Sequence, residues 1–197
     1  MITETLNGVS LIFKTEPSMF SPQSIDKGTL AMLSAVGFSK TDKVLDLGCG
    51  YGIVGIYAAK LIGEHNIIMS DIDAACVELA KRNAETNGVG GVSVIQSDGF
   101  SNIQDTDFSL ILSNPPYHSD FSIPKHFIEK GFNRLMIGGK MFMVTKRKDW
   151  YKKKLIAIFG GVSIEEIDGY YVFCSEKRSM QYSKNTRKKA LQRDSRD

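Results

Sequence analysis

The chain has 197 residues, enough for one domain with a substantial core, and its 42% hydrophobic content is that of an ordinary globular protein. No apolar run reaches the roughly 18 residues of a membrane helix, the start of the chain does not read as a signal peptide, and the three cysteines form no C-x-x-C pair. We therefore expect a cytoplasmic protein that needs no disulfide, no metal and no membrane partner.

Charge is distributed unevenly along the chain. Residues 1–145 hold 11 Lys and Arg against 15 Asp and Glu, a net charge of −4. Residues 146–197 hold 14 against 7, a net charge of +7. This imbalance favours a polyanionic partner, and the plainer alternative is a solvated basic tail.

Strand-like and helix-like segments alternate along the chain. Residues 9–14 alternate like an exposed strand, and residues 26–36 have helical spacing. After residue 42 the predicted strands are 43–47, 66–70, 91–96, 108–113 and 140–146, and the predicted helices are 53–62, 73–87, 123–137 and 149–159. Strands 162–167 and 170–175 close the pattern around the Asp168-Gly169 turn.

This alternation predicts an α/β fold with a mostly parallel sheet, helices on both faces and one antiparallel strand at an edge. We divide the chain into an N-terminal strand, loop and helix over residues 1–41, a main domain over 42–175, and a basic tail over 176–197. We expect the tail to be mobile without a partner, because it has few apolar anchors.

A glycine-rich loop, VLDLGCGYGIVG, contains the first predicted strand of the main domain. Its glycines satisfy G-x-G-x-x-G between Gly50 and Gly55, and Asp71 follows about 20 residues later, which on its own suggests NAD. Asp46, however, stands two residues before Gly48, where a carboxylate would repel a pyrophosphate. The loop therefore suits a ligand with a cationic end and no phosphate, such as S-adenosylmethionine.

Two further acids follow the next two predicted strands. Ligands of a doubly wound sheet bind at the carboxyl ends of its strands. Asp71 is placed there to accept hydrogen bonds from ribose hydroxyls, and Asp73 is expected to cap the following helix. Asp98 can accept from an adenine amino group, and a solvated loop aspartate is an equal alternative at that position.

The segment SNPPYH follows the fourth predicted strand and opens into the same crevice. Its two prolines fix the backbone and remove two N–H donors, which leaves the Asn114 side-chain oxygen and nearby carbonyls as acceptors beside the Tyr117 ring. Such a site holds a planar amine and favours a pyramidal nitrogen whose lone pair faces a methyl donor. The pattern predicts methylation of an amine without a metal or a covalent intermediate.

The motifs FSPQSIDKGT, VLDLGCGYG, SDID, SDGF, SNPPYH and GGKMFMVTKRK together resemble class I adenosylmethionine-dependent methyltransferases, and within them the small-domain family of 16S ribosomal RNA guanine-N2 methyltransferases. The resemblance implies a Rossmann-like class I fold with a seven-stranded sheet. In such a fold residues 1–41 would close over the cofactor. It implies that S-adenosylmethionine is bound by Phe20, Ser21, Asp46, Gly48, Gly50, Asp71, Asp98 and Asn114. It also implies that Asn114, Pro115 and Tyr117 hold the target amine.

The expected partner is ribosomal RNA or the small ribosomal subunit. Lys146, Arg147 and Lys148 follow the fifth strand of the main domain on the crevice side, and we expect them to contact RNA, with Trp150 packed inward. Two other targets stay open, namely a glutamine amide of translation release factors and adenine N6 of RNA or DNA. An NAD-dependent oxidoreductase and a catalytically silent RNA-binding module are the more distant alternatives.

Overall fold

The computed structural model describes residues 1–17, 21–116 and 121–183, and most of them belong to strands and helices. A hairpin of β1 (Ile2–Leu6) and β2 (Val9–Phe13) comes first, followed by α1 (Lys27–Ala35). The remaining elements are β3 (Val44–Leu47), α2 (Ile53–Ile62), β4 (Ile67–Asp71), α3 (Ala74–Thr86), β5 (Ser93–Gln96), β6 (Phe108–Ser113), α4 (Ser122–Arg134), β7 (Leu135–Thr145), α5 (Lys148–Phe159), β8 (Ser163–Ile167) and β9 (Tyr170–Glu176).

The main sheet has seven strands in the order β5-β4-β3-β6-β7-β9-β8. Neighbouring strands from β5 to β7 run parallel, and β9 runs antiparallel to both β7 and β8. The predicted fold class is confirmed, with the antiparallel strand lying next to the edge strand β8. Strand order reverses between β3 and β6, which places a ligand crevice at their carboxyl ends.

Helices cover both faces of this sheet. On one face of the sheet, strand side chains pack against α1, α2, α3 and the hairpin in a first core. On the opposite face, other strand side chains pack against α4 and α5 in a second core. Because side chains alternate along a strand, Val44 enters the first core while Leu45 and Leu47 enter the second. Asp46 therefore faces α2. Within the described ranges, none of these helices has the length and apolar character to cross a membrane.

One predicted helix end was wrong, and one strand was not predicted. The helix predicted over 123–137 ends at Arg134, because Leu135 turns to extended backbone and pairs with Phe108 of β6. The pairing buries Leu135 against the sheet, and this tertiary contact overrides the helical spacing. Strand β1 was not predicted at all, although Asn7 and Gly8 both have positive φ, as a tight hairpin turn requires.

The hairpin is attached to α3 by two asparagine side chains. The Asn83 amide accepts from the Lys14 backbone N–H at 2.8 Å and donates to the Lys14 carbonyl at 3.0 Å. The Asn87 amide does the same with Ile12, at 3.0 and 2.7 Å. Asn83 and Asn87 are four residues apart on one helix face, and they pair with the free side of β2 as a neighbouring strand would.

Candidate functional site

A cavity of about 330 Å³ lies at the carboxyl ends of β3, β4 and β6. Its walls come from the glycine loop, the ends of these strands, the segment before α1 and the start of α4. Its lining includes Ser21, Asp26, Thr29, Asp46, Gly48, Gly50, Ser70, Asp71, Asp98, Asn114, Pro115 and Pro116. Seven of the predicted cofactor residues and two of the three predicted target-amine residues are thus brought to one cavity.

The glycine loop follows β3 and turns sharply into α2. Gly48, Gly50 and Gly52 have φ of 77°, 55° and 97°, values that side-chain-bearing residues rarely adopt. A Cβ on Gly55 would lie 2.3 Å from the Met69 side chain, so a larger residue would have to displace that side chain. The Gly55 backbone N–H thereby reaches Asp46 and donates to its Oδ2 at 2.9 Å.

Asp46 is a buried carboxylate, 2% exposed. Its pKa is raised to about 7. Burial is the largest cause, the Gly55 N–H lowers the pKa in part, and the nearby charge of Asp71 adds to the rise. An ionised Asp46 is therefore poorly compensated by the protein itself, and a cation in the cavity would favour the ionised form.

Asp71 is held in place by two backbone donors. The Gly50 N–H donates to its Oδ2 at 2.8 Å, and the Asp73 N–H donates to its Oδ1 at 3.0 Å. Each carboxylate oxygen keeps further acceptor capacity. The Asp73 side chain accepts from the Ala75 N–H at 2.9 Å, which confirms the predicted cap of α3. Asp98 is exposed and also lines the cavity.

The Asn114 amide is fixed from one side only. Its Nδ2 donates to Asp26 Oδ2 at 2.8 Å and to Thr29 Oγ1 at 2.9 Å. Because Asp26 offers only acceptors when ionised, the amide nitrogen must face it, and the oxygen must face away. Asn114 Oδ1 is buried and has no hydrogen-bond partner among the described residues.

Asp26 and Thr29 are site residues that the sequence reading missed. Asp26 is the N-cap of α1 and accepts from the Thr29 N–H at 2.9 Å. The sequence DKGT carries the signal of a helix cap but gives no sign of its distant partner. Within the described ranges, no group of three or more His, Cys, Asp or Glu side chains could hold a metal ion.

The remaining predicted site residues are Ser21, Phe20 and Tyr117. Ser21 lines the cavity, and its carbonyl accepts from the Tyr51 hydroxyl at 3.4 Å. Phe20 and Tyr117 lie outside the described residues. Their predicted contacts with cofactor and substrate therefore stay predictions.

The predicted RNA-binding residues lie just beyond the carboxyl end of β7 and do not line the cavity. All three are exposed, and each cation lies over an aromatic ring. Lys146 lies 4.8 Å from the Tyr170 ring centre, Arg147 lies 5.1 Å from that of Phe121, and Lys148 lies 4.7 Å from that of Tyr171. The rings orient these side chains without neutralising their charge.

Comparison with known proteins agrees with this geometry. The family model described as methyltransferase small domain matches residues 10–174. The chain belongs to the methyltransferase small domain family. Its resemblance to that family, seen first in six short motifs, is confirmed over most of its length.

Relatives within this family differ in how much of their length they share with the chain. YbxB of Bacillus subtilis, described as an uncharacterized protein, is 30% identical over 178 residues, which cover 87% of this chain and 89% of YbxB. The ribosomal RNA small subunit methyltransferase C of Actinobacillus pleuropneumoniae serotype 7 is 36% identical, over 73% of this chain and 45% of the relative.

The solved structure of the 16S rRNA N2 methyltransferase RsmC from T. Thermophilus, in complex with AdoMet and guanosine, superposes with a TM-score of 0.82 at 26% identity. It is matched over 90% of this chain and 50% of its own. The chain thus spans about half the length of the relatives named ribosomal RNA small subunit methyltransferase C and of the solved RsmC.

Proposed function

We propose that this protein transfers a methyl group from S-adenosylmethionine to an exocyclic amine, guanine N2 of small-subunit ribosomal RNA, in the cytoplasm. The observation that carries the proposal is the Asn114 amide. Its oxygen has no partner among the described residues, its orientation is set by Asp26 and Thr29, and it lines the same cavity as Asp46.

The residues around the cavity fit this cofactor. When bound, S-adenosylmethionine supplies a methyl group on a positively charged sulfur. Asp46 offers a buried carboxylate to its cationic end, and Asp71 offers acceptors to the ribose hydroxyls. Ser70 Oγ is a second buried polar atom on the cavity wall without a partner among the described residues, and it is available to the ligand.

The chemistry of the target amine falls to Asn114 and its neighbours. Asn114 Oδ1 accepts one N–H of the amine, and a carbonyl of the proline pair accepts the other. These acceptors favour a pyramidal nitrogen and hold its lone pair toward the methyl group, so positioning and electrostatics carry the reaction. The proton leaves to solvent after transfer, and Tyr117 stacks on the base.

The choice of substrate rests on the relatives and on charge. Several relatives of this chain are named for small-subunit ribosomal RNA, and one solved relative is a 16S rRNA N2 methyltransferase in complex with guanosine. The exposed cations at 146–148 suit a phosphate backbone at the edge of the same crevice.

The test uses S-adenosylmethionine with a labelled methyl group. The protein is incubated separately with naked ribosomal RNA, with small subunits from cells that lack the modification, and with release factors, and labelled RNA is digested to nucleosides for mass analysis. N2-methylguanosine that the Asn114→Ala variant does not form supports the proposal. Detection of N6-methyladenosine would show that the target base is adenine. Label found only in release factors would show that the target is a glutamine amide, and the absence of any label would overturn the enzymatic function.

A further inference from the structure

A second hollow, separate from the cofactor cavity, lies between α4 and α5. Its volume is about 400 Å³, within the range of small-ligand sites. We call it the α4–α5 groove, and it is lined by Glu129, Trp150, Lys153, Lys154, Ala157, Ile158 and Tyr182. Neither the predicted cofactor residues nor the predicted RNA-binding residues belong to it.

The groove begins at the carboxyl ends of the strands, where the target amine is expected to bind. α4 and α5 start just beyond the carboxyl ends of β6 and β7, which are neighbouring parallel strands. Trp150, in the first turn of α5, stacks on Phe121 at the start of α4, with ring centres 4.3 Å apart and planes 12° apart. From Trp150 to Ala157 the lining follows α5 for about 10 Å away from that edge.

Charge and aromatic surface are combined in this groove. Lys153 and Lys154 line the groove, and the same helix carries Lys148 and Lys152 outside the lining, against the single acid Asp149. Lys154 pairs with Glu129 across the groove, whereas Lys153 is exposed. Trp150 is half-buried and contributes to the lining beside these lysines. A ring for base stacking beside cations for phosphates is the arrangement by which proteins bind single-stranded nucleic acid.

We propose that the α4–α5 groove holds an unpaired segment of the substrate RNA next to the target nucleotide, with a base against Trp150 and a phosphate at Lys153. The inference rests on the proposed function and adds a second subsite to it. The chain's own tail is disfavoured as the occupant, because residues 184–197 carry six Lys and Arg against two Asp and would meet like charge.

Trp150 supplies a direct test, since it is the single tryptophan of the chain. The protein is titrated with an RNA oligonucleotide in which the target guanine is flanked by unpaired nucleotides, and tryptophan emission is followed. We expect the oligonucleotide to quench the emission and guanosine alone to leave it unchanged. An oligonucleotide with inosine in place of the target guanine, which lacks the N2 amine, should quench equally well without being methylated.

Variants in and beside the groove sharpen the test. Lys153→Gln should lower the slope of log Kd against log salt by about 0.7, the value of one phosphate contact on a single strand. Lys152→Gln is the matched control, because Lys152 is exposed on the same helix outside the groove lining. Trp150→Leu should weaken RNA binding about tenfold or more and leave cofactor binding unchanged.

The outcomes separate this inference from the proposed function. Unchanged emission with an RNA that the protein does methylate would overturn the groove subsite alone. Quenching without methylation of guanine would support the groove and count against the proposed function. Equal slopes of log Kd against log salt for the Lys152 and Lys153 variants would overturn the groove subsite. Tryptophan emission that changes on deletion of residues 184–197 but not on addition of RNA would also overturn it.

Discussion

Replacing Asp46 by asparagine tests the link between the buried carboxylate and a cationic ligand. The pKa of Asp46 is about 7 in the folded chain against an ordinary value of 3.8, and each pH unit is worth about 1.4 kcal/mol. Because the folded pKa is raised, the protonated carboxyl contributes to the free energy of unfolding. This contribution is fully present below pH 3.8 and is lost as the pH rises from there through 7. Fully ionised Asp46 therefore costs the cofactor-free fold about 4 kcal/mol.

The asparagine side chain of this variant would be neutral at every pH and could still accept the Gly55 N–H. We expect Asp46→Asn to match the wild-type free energy of unfolding near pH 4 and to exceed it by about 4 kcal/mol at pH 8, without cofactor. The same variant should lose most of its affinity for S-adenosylmethionine. Wild-type affinity should fall about tenfold per pH unit below pH 7, since the cation requires the ionised carboxylate.

Urea unfolding between pH 4 and 8 and calorimetric titration with the cofactor measure these two quantities. Asp98→Asn is the control, because Asp98 lines the same cavity but is exposed, and its unfolding free energy should change little at any pH. A stability gain that does not depend on pH, or unaltered cofactor affinity in Asp46→Asn, would refute the reasoning.

Three further changes test other parts of the site. Asn114→Ala should lower kcat by at least about a hundredfold and leave the cofactor Kd nearly unchanged, and a parallel loss in calorimetry would contradict this division of roles. Asp26→Ser keeps a capping hydroxyl but cannot hold the distant amide, so we expect kcat to fall about tenfold. Asp73→Ser, at the cap of α3, is the matched control, and equal rates in the two variants would remove the positioning role of Asp26. Gly55→Ala should cost about 1–3 kcal/mol in urea unfolding because its Cβ meets a buried methionine of β4 at 2.3 Å. Gly161→Ala, where a Cβ meets nothing within 4 Å, should cost little, and equal costs would argue against the steric account.

Features set by nearby residues could be predicted from the sequence. The strand, glycine loop and helix around Asp46 follow from a short apolar run and from closely spaced glycines, and the helix over Ile53–Ile62 has the predicted bounds. The end of β6 and the Asn114 segment were placed in the correct crevice for the same reason, since the carboxyl ends of parallel strands meet at one edge.

Contacts between distant residues could not be predicted in this way. Asp26 and Asn114 are 88 residues apart, and the helix cap that Asp26 forms gives no information about what else its carboxylate accepts. The end of α4 depends on Leu135 meeting Phe108, which no local periodicity contains. The turn Asn7-Gly8, in contrast, was a readable hairpin signal, and it could have revealed β1.

The asparagine contacts of the N-terminal hairpin have a consequence for the chemical ageing of the protein. Asn87 precedes Gly88, the neighbour that most readily lets an asparagine side chain cyclise and deamidate. In the folded chain the Gly88 nitrogen donates to the Glu85 carbonyl, and the Asn87 amide donates to two carbonyls, those of Ile12 and Asn83. Docking of the hairpin therefore protects Asn87.

Conversion of Asn87 to aspartate would place a carboxylate against those carbonyls and favour release of the hairpin. The converted hairpin would therefore be released more often than the native one, so stored samples should accumulate molecules with a loosened N-terminus. Peptide mapping of aged protein would detect this, and deamidation at Asn87 without any increase in proteolysis of residues 1–17 would argue against the connection.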